Sequence, residues 1–250
     1  MPRPILPPML ADAATASATD RALAVLATLA QHGSALAAAD LVQRTGLSQS
    51  TLYRQLASLK RWGFVQEVQG RYAPGPLSLQ LALGFDMASH VVQQARSEML
   101  ALAQQSQESV GLVMAVNGQA ICIEMIDSRQ ALRCSFEKGR SVPLQKGASA
   151  RCLMAHLPEA SLQPLLAADP HPEQLAAELA AVRKAGHAVS DSEVDPGVWG
   201  VSAPLFGAGR RALAALTLMA PSVRVQPCRD SLVQMTVLAA SRISRALDTP

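Results

Sequence analysis

Aromatic residues are scarce in this chain. Phe, Trp and Tyr make up only 3% of its 250 residues, whereas 49% of the residues are hydrophobic. Much of that apolar content is Ala and Leu, which favours helices with small contact faces over an aromatic-rich β-sandwich. The high apolar share also excludes a largely disordered chain, because enough apolar surface is present to form a core.

Long apolar runs and paired cysteines are also missing. No run approaches the ~18 residues of a membrane span, so no membrane partner is expected. Prolines break the apolar core that a signal peptide would need within residues 1–19, and we interpret these residues as a flexible tail. The cysteines lack CxxC spacing and a nearby His pair, and three of them lie in apolar segments, which indicates buried thiols in a protein of the reducing cytoplasm. They are Cys122, Cys134, Cys152 and Cys228.

The chain has little net charge, but its basic residues are unevenly placed. The formal net charge is +3, which is too small to indicate a partner by itself. Between Leu41 and Tyr72, however, five Lys or Arg residues accompany a lone acid, Glu67. A local basic surface of this kind suits the binding of phosphates, and a solvated helix face is the alternative.

Residues 20–76 carry short helical patterns followed by a short β pattern, which predicts a small separate domain. Asp20 can cap a first helix, and a second helix is predicted from about Ala38 to Thr45. Gly46 then allows a tight turn, and Ser48 can cap a third helix by accepting a hydrogen bond from a first-turn N–H group. Two helices joined by a tight turn with Gly form the pattern of a DNA-binding helix-turn-helix.

The third helix has two distinct faces. At ~100° per residue, Leu52, Leu56 and Leu59 fall on one stripe, which predicts packing against the preceding helices. The opposite arc is polar, aromatic and basic, and Arg54 lies where it could bond a guanine with two hydrogen bonds. With neighbours in the flanking turn and hairpin, the residues predicted to contact bases or phosphates are Arg44, Ser48, Gln49, Ser50, Thr51, Tyr53, Arg54, Lys60, Arg61 and Arg71.

Two β-prone runs follow this helix, at residues 64–68 and 71–72, on either side of Gln69-Gly70. The pattern predicts a hairpin, and a hairpin after a helix-turn-helix completes a winged helix. Two alternatives stay open: the hairpin and helix only pack together, or the winged helix belongs to a ligand-sensing module that binds protein. Phosphate-dependent binding weakens steeply with salt, whereas an apolar protein contact does not.

Three blocks of the chain resemble the IclR family of bacterial transcription regulators. Residues 21–76, from Arg21-Ala22-Leu23 through AADLVQRTGLSQSTLYRQLASLKRWGFVQEVQGRYAPGP, resemble its N-terminal domain. GRSVPLQKGASARCLMAHLP at 139–158 and GHAVSDSEVDPGVWGVSAPLF at 186–206, followed by RRALAALTLMAPSVRV at 210–225, resemble its effector-binding domain. The resemblance covers nearly the whole chain after the tail.

The resemblance implies an α+β protein of two domains. A winged helix-turn-helix (residues 20–76) is joined by a linker helix (residues 77–92) to an effector-binding and oligomerisation domain (residues 93–250), whose antiparallel sheet is similar to those of GAF and PAS sensors. Homodimers or homotetramers are implied, which bind a near-palindromic operator in double-stranded DNA. The implied effector is a small organic acid of catabolism or central metabolism.

The C-terminal part also predicts its own elements from the residues. β-prone runs at 110–116 and 120–126 flank Asn117-Gly118, a strong hairpin signal. Helical patterns and strands occupy much of the remaining chain. The helices are predicted at 77–107, 173–186 and 229–247, and two further strands at 201–206 and 213–219.

Small residues at 147–150 run directly into a predicted helix that begins at Arg151. Backbone N–H groups at such a start favour an anion, and Lys146 adds positive charge. We therefore expect the carboxylate of the effector to bind here, with an ordinary helix start packed on the sheet as the alternative. The family resemblance points to the same loop and adds four positions. The predicted effector set is Lys146, Gly147, Ala148, Ser149, Arg151, Asp191, Gly200, Thr217 and Met219.

Two other patterns of reactive side chains carry less weight. Asp191, Glu193 and Asp195 would share one face of a strand, where a hard metal ion could bind, but the following Pro-Gly pair favours a solvated turn. Cys152 and His156 lie one helical turn apart without an orienting acid. The sequence also contains no GxSxG, HExxH or P-loop motif. We therefore predict neither enzymatic activity nor a cofactor.

Overall fold

The structure is a computed structural model that describes residues 15–248, apart from the side chains of residues 86–88 and 210. It divides into two compact units, with the boundary between Ser89 and His90. Of the tail predicted at 1–19, residues 1–14 lie outside the described residues, and Ala18 and Thr19 already belong to the first helix. Within the described part of the chain, no helix is both long and apolar enough to cross a membrane.

The N-terminal unit is a winged helix-turn-helix. Its elements are α1 (Ala18–His32), β1 (Leu36–Ala37), α2 (Ala38–Thr45), α3 (Gln49–Arg61), β2 (Val65–Val68), β3 (Arg71–Pro74) and α4 (Pro76–Ala88). The three strands form an antiparallel sheet in the order β1-β3-β2. The helix bounds of α2 and α3 agree with the sequence pattern, whereas the short strand β1 is not predicted by it.

Local signals explain where these elements begin and turn. Ser17 caps α1 by accepting the N–H of Asp20 at 3.1 Å, and the Asp20 carboxylate accepts the N–H of Ser17 at 3.1 Å. This reciprocal capping box makes Asp20 the third residue of the helix, so its prediction as the cap itself is wrong. In the hairpin, Gln69 and Gly70 both have positive φ (52° and 72°), the conformation of a type I′ turn.

Three leucines of α3 hold the N-terminal unit together, as the helical periodicity predicts. Leu52, Leu56 and Leu59 are buried in one cluster with apolar residues of α1, α2 and the hairpin. Because α3 packs through this stripe, its opposite face is left to solvent.

The C-terminal unit is a six-stranded antiparallel sheet with helices on both faces. Its elements are α5 (His90–Ser106), β4 (Ser109–Val116), β5 (Gln119–Ile126), β6 (Ser141–Pro143), α6 (Ala148–Met154), α7 (Glu159–Ala167), α8 (Pro172–Ala185), β7 (Ala188–Asp191), β8 (Val198–Phe206), β9 (Ala212–Pro221), α9 (Ser222–Val225) and α10 (Arg229–Leu247). The strand order is β6-β5-β4-β9-β8-β7.

Most of the predicted elements of this unit are confirmed. Asn117 and Gly118 form the hairpin between β4 and β5 with positive φ (49° and 73°), and Gly186 ends α8 in the left-handed region. The continuous helix predicted at 77–107 is wrong, because Ser89 has extended backbone (ψ 97°) and separates α4 from α5.

The two faces of the central strands have different partners. Trp199 and Leu218 lie in the core that α5 and α10 cover, whereas Gly200 and Thr217 face the opposite side, as the alternation of strand residues requires. On that side, the sheet, the start of α6 and nearby loops enclose a cavity.

Candidate DNA-binding surface and ligand cavity

The turn before α3 supplies the hydrogen bonds that fix the start of this helix. Ser48 Oγ accepts the N–H of Thr51 at 3.4 Å and donates to Thr51 Oγ1 at 2.9 Å, so the predicted cap is confirmed. Within the turn, the N–H of Leu47 donates to Thr45 Oγ1 at 3.3 Å. Gly46 takes a φ of 71°, a conformation that residues with a Cβ disfavour.

The face of α3 away from the core is open to solvent. Tyr53 keeps 45% of its surface exposed, and the guanidinium of Arg54 donates to Thr51 Oγ1 at 3.3 Å, which directs it toward the start of the helix. The exposed members of the predicted DNA-binding set are Arg44, Ser48, Gln49, Ser50, Tyr53, Arg54, Lys60, Arg61 and Arg71, while Thr51 is half-buried.

The hairpin, or wing, contributes both charge and anchoring to this surface. Lys60 Nζ at the end of α3 lies 2.5 Å from Glu67 Oε2 in β2, and this hydrogen bond raises the pKa of Lys60. Arg71 in β3 donates to the carbonyl oxygen of Ala35 at 3.2 Å. In the free protein, part of the basic surface is therefore paired within the domain.

Two exposed apolar side chains near this surface were missed by the sequence prediction. Trp62 directly after α3 has 65% of its surface exposed, and Val68 at the end of β2 has 58%. The sequence patterns that could have identified them are a Trp directly after a basic pair and a Val directly before the Gln-Gly turn.

The cavity in the C-terminal unit has a volume of about 80 Å³ and a mostly apolar wall. Its polar groups are the hydroxyls of Ser135, Ser149, Ser190 and Thr217 and the carboxylate of Asp195. The apolar and sulfur-containing part of the wall includes Val113, Cys122, Cys134, Phe136, Val142, Val194, Val198 and Met219.

The structure brings together six of the nine predicted effector residues in this lining: Gly147, Ala148, Ser149, Gly200, Thr217 and Met219. The other three, Lys146, Arg151 and Asp191, are not part of it. Lys146 is exposed. Asp191 accepts hydrogen bonds from Ser222 Oγ at 2.6 Å and from Ser192 Oγ at 3.0 Å, which lower its pKa.

The residue before Asp191 lines the cavity instead. Ser190 Oγ accepts the N–H of Ala148 at 2.9 Å, and neighbouring residues of a strand point to opposite faces. The resemblance predicted Asp191 as a cavity residue, whereas the residue of this strand that lines the cavity is Ser190. A hydrogen bond between the hydroxyls of Ser202 and Thr217, at 2.8 Å, holds the Thr217 side chain in place.

The anion expected at the start of α6 is supplied by the chain itself. Arg151 Nη1 lies 2.6 Å from both carboxylate oxygens of Glu193, and the N–H of Gly147 donates to Glu193 Oε2 at 3.2 Å. Arg151 Nε also lies 3.4 Å from Glu178 Oε2, an ion-pair distance without a hydrogen bond. The helix begins at Ala148, so its predicted start at Arg151 is wrong by one turn.

Gly147 is where the chain beyond β7 packs onto this loop. Its φ is 88°, and a Cβ placed there would lie 2.7 Å from Val194 Cγ2. Both facts require glycine, since a side chain would strain the backbone and would displace Val194 from the cavity wall.

Two thiols of the lining were also missed by the sequence prediction. Burial raises the pKa of Cys122 to about 11 and also raises the pKa of Cys134, so both are neutral near pH 7. Cys122 Sγ donates to the carbonyl oxygens of Glu124 and Phe136, both at 3.4 Å. Cys122 lies within a predicted strand, but nothing in the sequence pairs it with the loop of Cys134.

The weaker patterns have structural explanations. Asp191, Glu193 and Asp195 bond to Ser222, Arg151 and Arg140, respectively, so they do not converge. Across the described residues, no group of three His, Cys, Asp or Glu side chains could hold a metal ion.

The Cys–His pattern on α6 also fails to form a catalytic pair. His156 Nδ1 bonds the carbonyl oxygen of Cys152 at 2.8 Å, and its ring meets that of Phe206 edge-on. Burial raises the pKa of Cys152 to about 12, which keeps its thiol protonated.

Comparison with known proteins places both units in one family. Residues 18–69 match the IclR helix-turn-helix domain, and residues 87–245 match the bacterial transcriptional regulator IclR C-terminal domain. The HTH-type transcriptional regulator KipR of Bacillus subtilis is 27% identical over 234 residues, which cover 89% of this chain and 94% of KipR.

Solved structures of such regulators share the fold of this chain. The crystal structure of an IclR transcriptional regulator from Silicibacter sp. has a TM-score of 0.81 at 25% identity, over 92% of this chain and 96% of that one. An IclR homologue from Microbacterium hydrocarbonoxydans, complexed with 4-hydroxybenzoate, has a TM-score of 0.69 at 24% identity, over 92% and 99% of the two chains.

These matches confirm the α+β fold class predicted from the sequence. They also favour DNA over protein as the partner of the winged helix, because the matched proteins are transcription regulators. This chain belongs to the IclR family of bacterial transcriptional regulators and carries its helix-turn-helix domain.

Proposed function

We propose that this protein is a cytoplasmic regulator that binds a specific double-stranded operator and is controlled by a small organic acid in the C-terminal cavity. The observation that carries the DNA part is the polar and basic face of α3, which the buried leucine stripe leaves open to solvent. A helix of this kind fits the major groove, where base edges can be distinguished.

The side chains on that face divide by position. The first two turns of α3 carry groups suited to base edges, with Arg54 the residue best suited to guanine. The end of α3 and the wing carry cations suited to phosphates, which position the protein without reading sequence. We assign Gln49, Ser50, Tyr53 and Arg54 to bases, and Arg44, Lys60, Arg61 and Arg71 to phosphates, with Ser48 and Thr51 supporting the helix start.

Helix α4 supports the proposal of a homodimer. Leu79, Leu81, Leu83 and Phe85 are between 44% and 63% exposed, which is unusual for four large apolar residues so close together. We expect α4 to pack against the same helix of a second copy, with pairing of dimers into a homotetramer as the further state.

Light scattering tests the homodimer. Leu83→Glu should shift the protein toward monomer. Leu132→Glu serves as control, because Leu132 is a leucine of similar exposure in the C-terminal unit. An unchanged mass for Leu83→Glu would contradict the assignment.

The lining of the cavity supports a small ligand with an apolar body and a polar end. Gly147, Ala148, Ser149, Gly200, Thr217 and Met219 remain in the proposed site, joined by Ser190. Arg151, held by Glu193, is left with a supporting role, and Lys146 and Asp191 are left out of the site. By linkage, a ligand bound more tightly in one arrangement of the dimer would alter operator affinity through the spacing of the two recognition helices.

The DNA-binding proposal is tested by selection from a random duplex library, followed by anisotropy titrations on the enriched duplex. Arg54→Ala should weaken specific binding by about 1–3 kcal/mol and relax the preference at one base position. Arg229→Ala, the same charge change in α10, is the matched control. Equal affinities for the two variants, or no enriched sequence, would count against the proposal.

The ligand proposal is tested by a thermal-shift screen of organic acids that includes 4-hydroxybenzoate. A ligand that binds the folded state stabilises it by an amount that grows with the logarithm of ligand concentration above the dissociation constant, and so raises the melting temperature. A hit should also alter binding of the selected duplex. Ser149→Trp, which fills the cavity, should abolish the shift. Retention of the shift in this variant would place the ligand elsewhere.

A further inference from the structure

The segment between β7 and β8, residues 192–197, forms one side of the cavity, and we name it the cover segment. Ser192 and Gly197 at its ends both have positive φ (58° and 75°). Between them, Val194 and Asp195 line the cavity, and Glu193 points to Arg151. The cover segment is thus a short loop held by two carboxylate–guanidinium contacts.

The contact of Asp195 with Arg140 lies at the cavity wall, whereas Glu193, which contacts Arg151, is not part of that wall. Arg140 Nη2 donates to both oxygens of Asp195, at 3.1 Å each. The guanidinium carbon of Arg140 lies 4.3 Å from the centre of the Phe136 ring, and Phe136 and Asp195 both belong to the cavity wall. The side chains of this pair are 38% and 43% exposed, so the pair borders both the cavity and solvent.

The other cations near the cavity are less suited to a ligand. Arg140, Arg151 and Lys146 all lie outside the lining itself. Arg151 is shared between Glu193 and Glu178, neither of which belongs to the cavity wall, and Lys146 is exposed. Arg140 is bound to a residue of the wall through one exposed contact, which an incoming anion can replace without leaving a buried charge unpaired.

We propose that Arg140 selects the ligand of this cavity, and that a carboxylate group of the ligand takes the place of the Asp195 carboxylate on its guanidinium. This inference rests on the proposed function, because it assumes that the cavity holds the controlling ligand. The ligand's apolar body then lies against the wall next to Phe136, and Asp195 is released from its partner. An uncharged analogue of the ligand cannot replace the Asp195 carboxylate on Arg140, so its affinity does not depend on this guanidinium.

Benzoate and benzamide test the exchange, because they share size and shape and differ in charge. Their dissociation constants are measured by calorimetry for the full chain and for Asp195→Asn, Arg140→Gln and Glu193→Gln. Asp230→Asn, the same charge change at the start of α10, is the matched control. Thermal unfolding of each variant verifies that it is folded.

Asp195→Asn should bind benzoate about tenfold more tightly than the unaltered protein, since it removes the competing carboxylate from a charge-assisted contact. Its affinity for benzamide should not change. Arg140→Gln should remove the preference for benzoate over benzamide. Asp230→Asn should behave as the unaltered protein does.

The inference is overturned if Asp195→Asn gains no affinity for benzoate, including the case in which it binds no benzoate at all. It is also overturned if the gain occurs in Glu193→Gln and not in Asp195→Asn, because that result assigns the carboxylate to Arg151. A neutral compound that controls operator binding equally in the unaltered protein and in Arg140→Gln would overturn this inference while leaving ligand control in place.

Discussion

Removal of the ion pair between Lys60 and Glu67 should make the protein bind DNA more tightly. In the free protein the two side chains are 42% and 33% exposed and bonded at 2.5 Å, and Glu67 is the lone acid among the basic residues of this surface. A DNA phosphate that binds Lys60 has to displace this carboxylate and to tolerate its charge. Glu67→Gln removes both obstacles, so we expect higher affinity.

The magnitude follows from counterion release. Each additional phosphate neutralised on duplex DNA steepens the slope of log K against log salt by about 0.9. If Glu67→Gln frees Lys60 for one phosphate, its affinity should fall about 3.5-fold more than that of the unaltered protein between about 50 and 200 mM salt. The stability of the folded protein should change little, because exposed ion pairs contribute little.

Anisotropy titrations of the selected duplex at several salt concentrations measure both quantities. Glu98→Gln is the matched control, since Glu98 pairs with an exposed arginine, Arg242, in the C-terminal unit at 3.4 Å. An unchanged salt slope with equal or lower affinity at low salt would refute the reasoning. Lys60 would then be bound to Glu67 in the complex as well.

Three further predictions concern stability and the cavity. Leu56→Ala should destabilise the winged helix by about 3–5 kcal/mol, since the side chain is 1% exposed, and urea unfolding of the full chain should then resolve an earlier N-terminal transition. Burial raises the pKa of Cys152 from 9.0 to about 12. The free energy of unfolding therefore keeps the full contribution of this thiol below pH 9 and loses it as the pH rises toward 12. By pH 10 the free energy of unfolding should have fallen by about 1 kcal/mol, and Cys152→Ala should not show this decrease. Gly147→Ala should lower the melting temperature and weaken ligand binding, because its Cβ would displace Val194; an unchanged thermal shift with ligand would contradict this.

The parts of the fold that could be predicted are those encoded by neighbouring residues. The stripe Leu52, Leu56 and Leu59 recurs at helical spacing, and Ser48 before a helix and Asn117-Gly118 between strands each have a local mechanism. Even so, local signals leave ambiguity. Ser17 and Asp20 are both good caps, and sequence reasoning chose the wrong one because in a capping box each bonds the other's backbone.

The cavity could be predicted only in part, because its walls come from distant parts of the chain. The loop at 147–149 was recognised through its small residues. The contact between Arg140 and Asp195 joins residues 55 positions apart. Arg140 precedes β6 and Asp195 follows β7, the two edge strands of the sheet, so only the folded domain brings them together. The pairing of Glu193 with Arg151 escaped prediction for the same reason. It occupies the guanidinium that was expected to bind the ligand, while residues 147–149 of the α6 start line the cavity.

Strand β8 contributes residues both to the cavity and to the core on the other face of the sheet. Val198 and Gly200 face the cavity, whereas Trp199 between them is 1% exposed in the core under α5 and α10. The cover segment leads directly into this strand, and a close-packed core yields little when one strand moves. A ligand shifts such an equilibrium only through contacts that differ between the two arrangements. The pair of Arg140 and Asp195 is a contact of that kind if the ligand replaces one partner. Hydroxyl contacts that persist in both arrangements add ligand affinity but do not alter operator binding.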